Sequence, residues 1–308
     1  MKVSVCVATY LRPQGLERLL HGLAALRFER APEPELEIVV VDNDPARSAA
    51  PVCEALAPAM PWRLRYVHEP RRGISHVRNR AVECAREGSE MFAFIDDDEL
   101  PEPGWLDELL RVQAEYDADV VAGPVVRRFE DEPAPWVHRG RFFDLPRHAT
   151  GARVEHPGAG NVLIRTAALD GMLEPFDLRF GLTGGEDTHL FLRLSRTRCT
   201  IVWADEAVAY EFIPGSRATA GWLLRRVYRS ANTWSMCERE VTPGARPLAM
   251  RAAKGLARLG LGVALLPVSW VMGRHMMVRS LWYVCFGAGN LTGLVGLRYD
   301  EYRVTHGR

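Results

Sequence analysis

The sequence predicts an α/β fold, with a mostly parallel sheet flanked by helices and a basic, apolar helical segment behind it. Three observations carry this. Through residues 1–213, short runs of strand length alternate with stretches of helical spacing. The runs are apolar throughout rather than at every second position, as expected of strands covered on both faces. After Pro214-Gly215 the character changes to helical, cationic and apolar, which places a boundary near Ile213.

Taken in order, "VSVCVA" (3–8) reads as a buried strand. Pro13 then suits a helix start, with Leu16, Leu19, Leu20 and Leu23 at helical spacing. "EIVVVD" (37–42) and "LRYVHE" (64–69) read as the next two strands. "GISHVRNRAVECARE" (73–87) reads as a helix with Ile74, Val77, Ala81 and Ala85 on one stripe. "MFAFI" (91–95) is a fourth strand, Trp105–Tyr116 a helix and "DVVAG" (119–123) a fifth strand. Residues 124–160 read as a long irregular loop, a length that usually marks function. "GNVLIRTAAL" (160–169) returns to strand and turn. "GGEDTHLFLRLSR" (184–196) starts a helix at its acidic end, and "TIVWADEAVAYEF" (200–212) is strand-like.

The 308 residues are 47% hydrophobic and 25% charged, a globular composition able to bury a sizeable core. The net charge of zero hides an asymmetry. From Arg217 onward there are 14 basic and 4 acidic residues, and the preceding part carries 25 and 35. A basic tail meets nucleic acid or an anionic membrane; its apolar content here favours the membrane and excludes nucleic acid. The six cysteines stand singly, without zinc spacing, and "MKVSVCVATY" lacks the apolar core of a signal peptide. Both point to a reduced, cytoplasmic setting.

"FAFIDDDELPEPGWL" (92–106) sets four carboxylates behind an apolar run. In open α/β sheets, ligands bind at the carboxyl ends of strands. Adjacent carboxylates there suit a hard divalent cation that also takes phosphate oxygens, with Asp96 and Asp98 separated by one residue. The plain alternative is a solvated acidic turn. No P-loop or dinucleotide fingerprint occurs.

Five segments in order, "VSVCVATYLRP", "VVVDND", "GISHVRNRA", "FIDDDELPEPGWL" and "GGEDTHLFLRL", resemble a family 2 glycosyltransferase with the GT-A fold. The resemblance covers about residues 1–212 and is closest to exopolysaccharide-type, succinoglycan-biosynthesis-like bacterial members that pair "GxGNVLIR" with a later "GGED". It implies a catalytic domain over residues 1–213, followed by a helical, membrane-associated region over 214–308. It implies a nucleotide-diphosphate sugar donor, UDP-linked, held through Mn²⁺ or Mg²⁺. Asp98 would be the main metal ligand, with Asp96 and Asp97 beside ribose and diphosphate. Thr9 and Asp42 would meet the uracil, Arg78 the base or phosphates, and Gly160 and Asn161, with Gly158, the sugar. Asp187 would be the catalytic base, with Glu186 beside it. A helix N-terminus with favourable acidic residues would produce the same "GGED". Glu211 stands where many relatives place a histidine near the metal, which leaves a third protein ligand open. Arg12 is a weaker phosphate candidate.

The Gln-x-x-Arg-Trp motif of processive synthases is absent from "RRVYRSANTW" (225–234), which argues for transfer of single sugars. Arg226 and Arg229 would reach a diphosphate of donor or acceptor, or form a basic helix face. "LGLGVALLPVSWVMG" (259–273) and "SLWYVCFGAGNLTGLVGL" (280–297) are uncharged, Trp-bearing and flanked by Arg and Lys. They suit helices lying in or dipping into the cytoplasmic leaflet better than two clean spans; the alternative is a pair of core helices packed on the catalytic domain, or a homodimer contact. The expected activity is therefore inverting, metal-dependent, non-processive glycosyl transfer to a glycan or polyprenyl-diphosphate-linked acceptor at the cytoplasmic face of the cell membrane. The competing reading is a non-catalytic glycan- or membrane-binding protein on the same fold.

Overall fold

The structure, a computed structural model, describes residues 1–86 and 88–299. The chain builds β1 (Lys2–Thr9), α1 (Pro13–Ala24), β2 (Glu35–Asp42), α2 (Ala50–Leu56), β3 (Arg63–His68), α3 (Ile74–Arg86) and β4 (Met91–Asp96) in unbroken alternation. There follow β5 (Glu99–Pro101), α4 (Trp105–Tyr116), β6 (Val120–Ala122), β7 (Val125–Phe129), α5 (Pro135–Gly140) and β8 (Asn161–Arg165). Then come α6 (Glu186–Leu194), β9 (Ile201–Trp203) and β10 (Ala209–Ile213). Beyond Ile213 the described elements are helices: α7 (Ala220–Val241), α8 (Ala245–Met272) and α9 (Arg274–Leu294).

Seven strands form one sheet in the order β3-β2-β1-β4-β8-β6-β9. It is parallel except for β8, which runs antiparallel to β4 and β6. Strand residues divide by parity, because successive side chains point to opposite faces. Val3, Val5, Val7, Ile38, Val40, Ala93 and Ile95 pack with Leu16, Leu19, Leu20 and Leu23 of α1 and with Trp105, Leu106 and Leu109 of α4. Cys6, Val39, Val41, Phe92 and Phe94 pack on the other face with Val77, Ala81 and Val82 of α3 and with Leu190, Phe191 and Leu194 of α6. Two covered faces explain why these strands are apolar throughout.

The parallel register brings the strand ends together. Thr9 pairs with Asp42, and Ala8 with Asp96. A second sheet, β5-β10-β7, follows directly from the acidic turn. It accounts for two differences from the sequence reading. Residues 200–212 form two strands in different sheets, separated by a turn, and the 124–160 segment contains β7 and α5. Short strands without strict alternation leave no clear periodic signature.

The C-terminal region also departs from expectation. The first apolar segment lies within the 28-residue α8, long and apolar enough to cross a membrane, with only 17% of its most apolar stretch buried. Val263, Val268, Trp270 and Val271 are exposed there. The second segment, in α9 up to Leu294, is instead packed between α8 and α7. Gly262 of α8 and Gly287 of α9 let those two helices meet, while Gly289 and Gly293 of α9 lie against the backbone of Tyr228 and Asn232 of α7. The two segments thus take unlike roles: α9 is packed, and α8 presents the apolar surface.

Candidate active site

A cleft of about 530 Å³ opens at the carboxyl ends of β1 and β4. It is lined by Thr9, Arg12, Arg78, Asp96, Asp97, Asp98, Glu99, Gly160, Glu186, Asp187 and Glu211, with α7 as its far wall through Trp222, Arg226, Arg229 and Thr233. Most of the residues singled out in the sequence therefore meet in one space, although they come from seven segments of chain.

The acidic turn is held by arginines. Asp97 is buried and accepts from the Thr9 hydroxyl at 2.8 Å and from Arg12 Nη1 at 2.9 Å. Burial, opposed by Arg12 and reinforced by Asp98, pushes its pKa up to about 6. Asp98 accepts from Arg12 Nη1 at 2.8 Å and from Arg217 Nη1 at 3.1 Å. Arg217 also reaches Glu211 at 3.3 Å, and Arg127 Nε donates to Glu211 at 2.9 Å. Buried Glu99 accepts from the Asp96 backbone N–H at 3.2 Å. Its carboxyl is raised well above the ordinary range by burial and by the charges of Asp96, Asp98 and Glu211. Gly160 crosses this turn so closely that a Cβ there would stand 2.5 Å from Glu99 Oε1.

Arg78 joins the acidic turn to the start of α6. One guanidinium nitrogen donates to Asp96 Oδ1 at 3.0 Å and the other to Glu186 Oε1 at 2.5 Å. Glu186 Oε2 is buried without a partner among the described residues. Burial, opposed by Arg78 and reinforced by Asp187, pushes Glu186 up to about 7. The folded carboxyl thus holds a proton that the unfolded chain releases from pH 4.5 upward, so stability falls as pH rises through the window from 4.5 to about 7. Glu186→Gln is expected to flatten that fall, leaving the parts due to Asp96, Asp97 and Glu99. Urea midpoints compared at about pH 5 and about pH 8 check this, and an unchanged slope in the variant would contradict it.

Asp187 sits in the first turn of α6 and faces the cleft. Its Oδ1 accepts from the Thr188 N–H at 2.6 Å, and Oδ2 accepts only a long bond, 3.3 Å, from the Ala159 N–H. Oδ2 is therefore available to a hydroxyl in the cleft. The glycines before it serve packing as well as access. Gly185 has φ +92°, and a Cβ there would overlap Thr233 of α7. That contact seats α6 against α7.

Two expected site residues do not line the cleft. Asp42 is fully buried, and both its oxygens are engaged by the Asp44 N–H at 2.8 Å, the Ala49 N–H at 3.1 Å and the Tyr66 hydroxyl at 3.1 Å. It builds the turn after β2, while the adjacent Asn43 reaches the cleft. Asn161 is likewise buried, accepting from Trp105 Nε1 at 2.7 Å and donating to Pro124 O at 3.0 Å and Ala207 O at 2.7 Å. It ties α4 and both sheets together. Asn161→Ala strands one donor and two acceptors and is expected to cost about 2–4 kcal/mol; a loss below about 1 kcal/mol by urea denaturation would count against this role.

The sequence reading missed Arg217 and Arg127. Both bear on the acidic turn, but each lies far from it along the chain, in a stretch rich in other arginines, and no spacing distinguished them.

The donor set suits a hard divalent cation. Asp96 and Asp98 offer carboxylate oxygens to the cleft, and repulsion between such neighbouring carboxylates is what a cation relieves. Among the described residues, three His or carboxylate donor atoms gather within 4.8 Å of one another only at Asp177, His189 and Glu240. That group lies outside the cleft lining, and the Arg179 guanidinium already spans its two carboxylates.

The sequence pattern defining Glycosyl transferase family 2 matches residues 4–172. The chain is 33% identical over 308 residues to the succinoglycan biosynthesis protein ExoM of Rhizobium meliloti, covering 98% of this chain and 95% of that one. Among solved structures it is similar to the mannosyltransferase PcManGT of Pyrobaculum calidifontis in complex with GDP-Man and Mn²⁺. That match has a TM-score of 0.61 at 19% identity and covers 95% and 87% of the two chains. It is also similar to residues 1–349 of S. aureus TarS in complex with UDP, with a TM-score of 0.53 at 16% identity over 95% and 91%. At these identities the two structures establish the GT-A-like α/β fold.

Proposed function

The chain belongs to glycosyl transferase family 2 and is a glycosyltransferase. From that premise we propose inverting, metal-dependent, non-processive transfer of one sugar from a UDP-linked donor to a glycan or polyprenyl-diphosphate-linked acceptor. The observation that carries the proposal is that Asp96 and Asp98 share one cleft with Asp187.

Inversion needs one base on the acceptor side and, where a cation holds the leaving diphosphate, no separate acid. This differs from the paired carboxyl groups of a glycosidase. Asp187 Oδ2 takes the proton of the acceptor hydroxyl as that oxygen bonds to the anomeric carbon from the face opposite the leaving group. The N–H groups of Thr188 and Ala159 orient the carboxylate. It acts through its position beside the acceptor hydroxyl. Arg78 links the acidic turn to the base-bearing helix. Mn²⁺ or Mg²⁺ bound by Asp98 and Asp96 would neutralise charge developing on the diphosphate.

A divalent cation is supported by the Mn²⁺ in the PcManGT complex, and a uridine donor by the UDP in TarS. The GDP-Man of PcManGT makes guanosine the comparison to include. The exposed apolar surface of α8, flanked by Arg251, Lys254, Arg258 and Arg274, supports docking on the cytoplasmic face of an anionic membrane, where a lipid-linked acceptor presents its sugar. The experiment is a titration of the purified protein with UDP, GDP, CDP and dTDP, with and without Mn²⁺. Metal-dependent preference for UDP is expected. Preference for another diphosphate would replace the donor, and no metal-dependent binding of any would overturn the reading.

A further inference from the structure

Asp177, His189 and Glu240 lie outside the catalytic cleft and bring together three parts of the chain. Asp177 precedes the turn Leu178–Phe180, His189 is on α6 and Glu240 is in the last turn of α7. The imidazole is only 3% exposed and lies against the Phe180 ring at 5.0 Å. Its Nδ1 is buried with no hydrogen-bond partner among the described residues. Nδ1 stands 4.0 Å from Asp177 Oδ2, and Nε2 stands 3.7 Å from Glu240 Oε1. Both separations are too long for hydrogen bonds. They come close to the spacing of two donor atoms that share one ion, each bonded to it at about 2.0–2.2 Å.

The two carboxylates already attract a cation. Arg179 Nη2 donates to Asp177 Oδ2 at 2.5 Å and also to Glu240 Oε1, the same oxygens that face the ring. The guanidinium serves the carboxylates and leaves His189 Nδ1 unserved. It is 52% exposed, beside a cavity of about 370 Å³ that Glu240 also lines, so it can turn outward and open a path to the ring. Arg239 and Arg298 line the same cavity. They repel a loosely held cation, so only an ion bonded directly to the ring and both carboxylates gains there. We propose that Asp177, His189 and Glu240 bind one divalent transition-metal ion of the zinc class in place of the Arg179 guanidinium. One imidazole nitrogen with two carboxylate oxygens suits such an ion better than Mg²⁺, which takes oxygen ligands. The ion ties α6, which carries Asp187, to the end of α7 and to the turn that precedes α6. This site is separate from the donor cation at Asp96 and Asp98 and does not depend on it.

The test titrates Zn²⁺ into the untagged full chain, stripped of metal and free of nucleotide, in millimolar Mg²⁺ at about pH 7.5, where an ordinary imidazole is neutral. Calorimetry and thermal melting are the readouts. One Zn²⁺ is expected to bind per chain with a Kd of about 1 μM or below and to raise Tm. The Asp98→Ala protein is expected to bind it equally well. Glu240→Gln is expected to weaken it at least about tenfold, and Arg179→Met to strengthen it about tenfold because the competing charge is gone. Without Zn²⁺, Glu240→Gln should melt close to the wild type, since it gives up a partly exposed pair with Arg179, so lost affinity is not lost fold. A gain of affinity on removing Arg179 is a result that a purely structural ion pair does not give. Equal Zn²⁺ binding in the wild type, Glu240→Gln and Arg179→Met makes the ion an adventitious surface ion only and overturns the proposal. Loss of binding in Asp98→Ala, or displacement by Mg²⁺, assigns the ion to the cleft and overturns it as well. So does weaker binding in Arg179→Met, or no binding to the wild type.

Discussion

Asp98→Ala is expected to abolish the Mn²⁺ dependence of nucleotide-diphosphate binding and to lower kcat/KM about a thousandfold, the several kcal/mol that a bound cation supplies to a leaving diphosphate. The side chain faces the cleft between Arg12 and Arg217. Its removal leaves both arginines with partners, Arg12 with Asp97 and Arg217 with Glu211, so the fold is expected to survive with little change in Tm. Calorimetric titration of UDP with and without Mn²⁺ checks this. A variant whose binding still responds to Mn²⁺ would place the cation elsewhere, with Asp177, His189 and Glu240 the first alternative to examine.

Asp187→Asn is expected to lower kcat by about 10²–10⁴-fold, the range for loss of a positioned general base. Donor affinity should stay within about twofold, because the carboxamide oxygen can still accept the 2.6 Å bond from the Thr188 N–H and only the long 3.3 Å contact with the Ala159 N–H is lost. That split between kcat and binding separates a base from a helix-capping residue. A cap alone would change stability and leave turnover intact, and that result would favour the non-catalytic reading. Glu186 should behave differently from its neighbour, since it is buried and its Oε1 is held by Arg78, whose other nitrogen holds Asp96.

Much of the catalytic half was legible in the residues. Leu16, Leu19, Leu20 and Leu23 announced α1 by spacing alone, and all four are fully buried against the sheet. Uninterrupted apolar runs announced strands covered on both faces, and parallel strands so covered bring their carboxyl ends to one edge. Asp96, Asp97 and Asp98 could therefore be placed at the cleft before any contact was known. The second sheet was harder to read. β5 is three residues long, and β10 follows β9, a three-residue strand of the first sheet, after only a turn. So little chain carries no usable period.

What the sequence determined by itself was local and periodic: the strand–helix alternation, the apolar faces and the carboxylates just past strand ends. The chemistry of each such residue followed only from partners distant in the chain. Asp42 and Asp98 occupy similar places after their strands, yet Asp42 is closed off by Ala49 and Tyr66 while Asp98 faces the cleft between two arginines. Asn161 reads as a site residue in its motif, but Trp105, 56 positions away, claims it for the core. Arg217 has no local signal and reaches Asp98 across 119 positions. Likewise α8 and α9 look alike as apolar segments, and only the approach of α7 to Gly289 and Gly293 makes one a packed helix and leaves the other exposed. Burial and hydrogen bonding are properties of the assembled neighbourhood, so the tertiary structure decided which charges face a ligand and which hold the fold together.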